Sequence, residues 1–417
     1  MPAHFAWMRS MLSGLVALAA LAALAGPARA DETCQSPFLP KVTGQEDFLY
    51  VWTLGVSGVA DGNDSMVTVD VNPASSSYGK IVHRAPVPGR HEAHHAGFTD
   101  DRRFLWAGGL DTSQIFVFDV ATDPGRPKLV KTIKTFVKDT GLVGPHTFYA
   151  LPGRMLISAL SNAKDGSGVT GLAEYANDGR YLRTIWLPKE APYGYDVRVN
   201  VNLNRMLTSS FTGKKNYMRP LGDLVKDAEA MKNFGGSMVV WDFHARKPLQ
   251  VLSVPGVPLE IRWALQPQHH YAFTATALTN QLVVIHRKAD GTFEAKSIAD
   301  IGQGTLPVDI SIAPDDSKVY VNTYADGTLR VYDVTNPFEG KLLEQVKLGD
   351  QANMVSTSWD GKRVYATSSL LSKWDKPDAA HWLKAMAWEE GKLVPKFTVD
   401  FAPVGRAHIM NLGSKTR

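Results

Sequence analysis

Apolar and polar positions along this chain fall into short strand-length runs separated by Asp, Gly, Asn and Pro clusters. The order of these runs repeats at intervals of about fifty residues, a period typical of propeller blades. Each repeat opens with a segment in which a polar or metal-capable side chain precedes a strand-forming stretch: AHHAGF (93–98), PHTFYA (145–150), YDVRVN (195–200), LEIRWA (259–264), VDISIA (308–313), NMVSTS (353–358) and AHIMNL (407–412). A turn and a second strand follow, as in DDRRFLWAGG (100–109) and PDDSKVYVNTY (314–324). Third strands such as IFVFDVA (115–121) and LRVYDVT (329–335) come next, then fourth strands such as LVKTIKTF (129–136) and LQVLSVPG (249–256). Their β-branched and aromatic content and their bounding turn residues predict strands throughout.

Six repeats are complete in order. The seventh has to be assembled from FLYVWTL (48–54), SMVTVDV (65–71) and KIVHRAPV (80–87), together with AHIMNLG near the C-terminus. This pairing closes the ring and removes exposed sheet edges. The expected fold is therefore all-β: a single seven-bladed β-propeller closed by its N- and C-terminal strands. The segment 219–236 has helical spacing of Leu221, Leu224, Val225, Ala228 and Met231 and predicts a short helical insertion. A second insertion, 371–384, occupies the same place in another blade, so both are expected on one mouth of the channel.

The ends change the domain count. Arg9, an apolar run at 11–26 and Ala28-Arg29-Ala30 form a secretory leader pattern, so residues 1–30 are expected to be cleaved, leaving a tail at 31–45 and the propeller at 46–417. This makes the mature protein periplasmic, with no membrane span. The formal net charge of +4 falls to +2 once Arg9 and Arg29 are removed, which argues against a nucleic-acid partner. Cys34 is the only cysteine, so no internal disulfide is available.

In a closed radial fold, equivalent positions of every blade converge on the axis. The converging residues here are His94, His146, Asp196, Glu260, Asp309, Met354 and His408. Three histidines at seven ring positions, in a chain with 12 in all, point to a metal site. Neutral imidazole suits copper, zinc or iron, and copper also accepts thioether sulfur. His95 follows His94 directly, and strand alternation predicts that only one of the two faces the channel. Asp196, Glu260 and Asp309 are candidate ligands, partners of the imidazoles or proton acceptors in catalysis. The competing expectation is a polar, hydrated channel in a protein-interaction scaffold. The G-x-G-x-x-G match at 166–171 lies in a blade loop without a strand–turn–helix context and carries no dinucleotide site.

Several longer segments carry a likeness to a known family. VTVDVNPASSSYGKIVHRAPVPGRHEAHHAGF (67–98), APYGYD (191–196), PLEIRW (258–263), VDISIAPDDSKVYV (308–321), TSWDGKRVYATSSLLSKWDK (357–376) and VDFAPVGRAHIMNLG (399–413) resemble the selenium-binding protein family, which includes the methanethiol oxidases. The resemblance implies a seven-bladed propeller that uses copper to convert methanethiol and O2 to formaldehyde, hydrogen sulfide and hydrogen peroxide. It also implies a small thiol and O2 as partners, and a copper-delivery protein. The cysteine associated with selenium in animal members falls at Gly79, so selenium binding through that position is not expected. Family histidines are replaced at Tyr149, near Leu265, and near Ala325 or Asp326. These departures support an alternative, a non-catalytic metal- or selenium-binding propeller of the same family.

Overall fold

The computed structural model describes residues 36–415. The leader pattern and Cys34 lie outside them. Seven four-stranded antiparallel sheets form the chain. Blade one combines Arg406–Gly413 with Phe48–Leu54, Ser65–Asp70 and Lys80–Pro86. Its closing pair runs from Phe48 opposite Gly413 to Leu54 opposite Arg406. The innermost strands of blades two to seven are Ala93–Phe98, Leu142–Leu151, Val197–Asn200, Pro258–Trp263, Pro307–Ile312 and Val355–Thr357. The ring is thus an all-β seven-bladed propeller, and the expected strand order and closure are present in it.

Inner strands are buried on both faces because neighbouring blades cover them, and Phe48–Leu54 accordingly reads as a nearly continuous apolar run. The outermost strand has only one covered face, and Lys341–Lys347 is mostly exposed. Between blades one and two, Trp52 packs against Phe116 and Phe118 at 5.7 Å between ring centroids and donates its Nε1–H to the Gly108 carbonyl at 2.9 Å. Buried carboxylates also pin blades together. Glu174 of blade three accepts from Arg154 and Arg183 of its own blade at 3.1 Å, and from Arg246 of blade four at 2.8 Å. Glu46, beside blade one, accepts from Arg363 of blade seven at 2.7 Å.

Two local expectations change. The fourth strand of blade two, expected over 129–136, spans Lys128–Ile133, and Phe136–Thr140 is a helical turn ended by Gly141 at φ +72°. Gly141 adopts the left-handed conformation without the Cβ penalty. The insertion at 219–236 contains two one-turn helices, Leu221–Leu224 and Ala228–Met231. Asp227 interrupts them by capping the second, accepting from Glu229 N at 3.1 Å and Ala230 N at 3.0 Å.

Candidate metal centre

The site begins with an irregularity that recurs in the innermost strands. In blade two, Ala93 pairs with Gly109 but Ala96 with Ala107, so His94 and His95 together oppose the single residue Gly108. The same two-against-one bulge places His146 and Thr147 opposite Ser158, Leu259 and Glu260 opposite one residue of blade five, and His408 and Ile409 opposite Trp52. A bulge inserts an extra residue and re-aims side chains. This corrects the expectation that only one of His94 and His95 faces the channel, because the bulge suspends the alternation and both rings join the axial group.

Four imidazoles meet there, all fully buried. Ring centroids lie 5.0 Å apart for His94 and His95, 4.9 Å for His94 and His146, and 3.9 Å for His95 and His146. His408 stacks on His94 at 4.0 Å. His94, His95 and His146 each offer a ring nitrogen within 4.8 Å of the others, an arrangement that can hold a metal ion. Burial is the main reason their protonated forms are disfavoured. His94 and His95 are held well below the usual imidazole range, and His146 and His408 are pushed down to about 3. Neutral imidazole is the metal-binding form.

Hydrogen bonding settles which nitrogens are available. His408 Nδ1 lies 2.8 Å from the Ser369 carbonyl and must donate to it, which leaves Nε2 as an acceptor without a partner. The polar contact of His146 is at Nδ1, 3.3 Å from Thr147 Oγ1, and its Nε2 is also without a partner. His94 Nδ1 is the third such nitrogen. Buried polar atoms are normally satisfied, so this group of unpartnered imidazole nitrogens fits a bound cation.

The three carboxylates form a separate ionic layer with Arg198 and Arg262. Arg198 donates to Asp196 Oδ2 at 2.8 Å and to Glu260 Oε2 at 3.0 Å. Arg262 donates to Glu260 Oε2 at 3.0 Å and to Asp309 Oδ1 at 3.1 Å. Asp196 also accepts from Thr147 Oγ1 and Val197 N at 2.8 Å and from Ile261 N at 2.9 Å. Asp309 accepts from Ile310 N at 2.8 Å and Val355 N at 2.7 Å. Both aspartates thus have both oxygens engaged and tie one blade to the next. Glu260 differs, because its Oε1 accepts no hydrogen bond and faces His95 Nε2 at 3.6 Å. Burial pushes Asp309 well up against the opposing pull of Arg262, and pushes Asp196 up against Arg198. Three carboxylates against two guanidinium groups leave a surplus negative charge, which a shared proton or a cation among the imidazoles would balance.

The arginines escape a reading of aligned ring positions, yet each lies two residues after its acid, in Asp196-Val-Arg198 and Glu260-Ile-Arg262. That period-two spacing is the signal that was available. Tyr195 is the other addition. Its ring centroid lies 3.9 Å from that of His146, and burial pushes its phenol well above the usual range, so it remains an O–H donor. Met354 packs in an apolar cluster with Ile409 and Trp359. Of the positions where family histidines are replaced, Ala325 lines the same cavity as His94, while the other two make contacts of their own. Tyr149 meets the Val199 carbonyl at 3.5 Å, and the Leu265 N–H donates to Asp316 at 2.7 Å.

Above His94 lies an apolar cavity of about 430 Å³. Both insertions line it: Leu221, Leu224, Met231 and Phe234 from one, Leu371 and Trp374 from the other. Trp374 Nε1 donates to the Arg219 carbonyl at 3.1 Å and joins the two. Asp375 fixes the second insertion by accepting from Leu370 N at 2.9 Å and Tyr324 Oη at 2.8 Å.

Sequence comparison agrees with this architecture. Residues 28–408 match the family described as 56kDa selenium binding protein (SBP56). The chain belongs to the selenium-binding protein family. Proteins named methanethiol oxidase from Ruegeria pomeroyi and a Hyphomicrobium species are each 52% identical to it, over 93% and 98% of this chain and 94% and 96% of theirs. A selenium-binding protein from Sulfolobus tokodaii, described as hypothetical, has a structure that superposes with a TM-score of 0.79. It is 27% identical, over 91% of this chain and 97% of that one. No helix among the described residues is long and apolar enough to cross a membrane.

Proposed function

We propose that this family member is a copper-dependent methanethiol oxidase that converts methanethiol, O2 and water to formaldehyde, hydrogen sulfide and hydrogen peroxide. One observation carries the reading: buried imidazole nitrogens without hydrogen-bond partners cluster around His94, which itself lines a mostly apolar cavity, in a chain half-identical to proteins of that name. His94, His95 and His146, flanked by His408, would hold the metal. Copper, when bound, supplies the redox chemistry and the affinity for soft sulfur that this oxidation needs.

The chain's own residues do the rest. The leucine, phenylalanine and tryptophan walls exclude water and receive the methyl end of the substrate. The Tyr195 hydroxyl is the neutral donor beside His146. Of the three axial carboxylates, Glu260 takes up the proton released from the substrate, because Oε1 alone is uncommitted. Asp196 and Asp309 hold the arginines and the neighbouring strands in position. The leader pattern at 1–30 supports our proposal that the reaction is periplasmic and that copper comes from a delivery protein there.

The test is thiol-dependent oxygen uptake by copper-loaded protein, with sulfide and peroxide measured in the same reaction. Equimolar sulfide and peroxide are expected, and at least a hundredfold loss of rate in His146→Ala. Tight copper binding without turnover of methanethiol would instead establish the non-catalytic metal-binding reading.

A further inference from the structure

The cavity above His94 is too large for methanethiol. An apolar cavity of roughly 150 Å³ holds a benzene molecule, and this one, at about 430 Å³, is nearly three times that size. Methanethiol has two heavy atoms and would leave most of it unfilled. Its walls are mainly apolar, and its rim reaches the exposed Leu278, Gln303 and Ala325. Val257, Leu259, Ala277, Leu306, Phe234 and Trp374 are among its apolar lining residues, and His94 and Tyr195 add polar groups. Asn280, also in the wall, already uses its Oδ1 to accept from Thr305 Oγ1 and Leu306 N, both at 3.1 Å. The roof is built in place, since the Trp374 and Asp375 hydrogen bonds fix its height. Such a space has room for a ligand with one polar sulfur end and an apolar body of benzyl or hexyl size or larger.

We infer that the site also accepts larger primary thiols, with alkyl or arylmethyl groups lodged in this cavity. The inference rests on the oxidase activity proposed above. The overall step is one thiol, one O2 and one water giving an aldehyde, hydrogen sulfide and hydrogen peroxide. One C–H bond at the sulfur-bearing carbon and the S–H bond break. Their two electrons and two protons reduce O2 to peroxide. Water then replaces sulfur at the oxidised carbon, forming the C=O bond and releasing hydrogen sulfide. The class of product is therefore the aldehyde of the corresponding thiol.

Phenylmethanethiol and methanethiol, assayed side by side, test this, with toluene as an unreactive probe of the cavity. Phenylmethanethiol is expected to have a kcat/KM equal to or above that of methanethiol, and toluene to raise the melting temperature by several degrees. Ala325→Phe places a ring in the cavity from an exposed position at its rim. It should lower the ratio of the two kcat/KM values at least tenfold and abolish the toluene shift. Ala277→Leu is the second filling variant, should the first fail to fold. Oxidation of methanethiol with a hundredfold preference over phenylmethanethiol, and no toluene shift, would overturn the inference and leave the oxidase reading intact. A toluene shift removed by Ala325→Phe, with neither thiol oxidised, would overturn the oxidase reading and uphold the cavity as a site for apolar ligands of this size.

Discussion

Glu260 and Asp309 sit on the same ionic layer and share Arg262, yet they are not interchangeable. Each oxygen of Asp309 already receives a backbone N–H, and removing that carboxylate would unfasten Val355 and leave charge uncompensated in a buried layer. Glu260 receives donors at Oε2 only. Glu260→Gln is therefore expected to fold with nearly unchanged stability, since the amide oxygen can still accept from both arginines. Its kcat should fall about 10²- to 10⁴-fold, the usual contribution of a positioned proton acceptor. Steady-state kinetics beside thermal melts check this, and full activity in the variant would remove Glu260 from the mechanism. At this scale, the histidines and acids were legible because they recur at one place in each repeat. What remained hidden was the division of labour among the acids, since it depends on backbone N–H groups contributed by neighbouring blades.

The bulges of the innermost strands are the element that converts a repeat into a site. Ideal alternation would send either His94 or His95 into an inter-blade core, where a neutral but polar ring would need a partner. The extra residue opposite Gly108 turns both rings to the axis. Hydrophobic patterning cannot reveal this, because both faces of an inner strand are buried and the pattern carries no phase. Close approach of blades two and three is the second requirement. A Cβ added at Gly97 would lie 2.0 Å from the Phe148 carbonyl oxygen, a backbone atom with no room to yield. Gly97→Ala is expected to push the strand bearing His94 and His95 away from the strand bearing His146. The cost should be about 1–3 kcal/mol by the usual penalty for overpacking, together with weakened metal binding. Denaturant unfolding and metal titration of the variant measure the two effects. Unchanged values for both would show that the site does not depend on this contact.

Across the whole molecule the ring separates two unlike compartments. The upper one is the roofed apolar cavity. On the other side of the Arg198–Arg262 layer, a smaller pocket of about 110 Å³ is bounded by Asn200, Asn202 and Gln266, with Ser36 and Val42 of the N-terminal segment in its wall. Ser36 Oγ donates to the Ala150 carbonyl at 2.6 Å, so this segment is part of the folded body. Blade number and closure were readable from the sequence because a propeller is a one-dimensional repeat whose missing strand must come from the opposite terminus. The placement of both insertions on one mouth followed from their shared position in the blade. The size of the space beneath them did not, because it depends on how the short helices turn at Asp227 and on the reach of Trp374. Closure has a direct consequence for function, since the last strand brings His408 to an imidazole group that otherwise comes from blades two and three.

The central claim is that these imidazoles form a copper site, and elemental analysis of the purified protein tests it most directly, alongside a His146→Ala/His408→Ala double variant. The account predicts about one copper per chain in the wild type and a large loss in the variant, with the fold retained by circular dichroism. Equal, sub-stoichiometric copper in both proteins would contradict it.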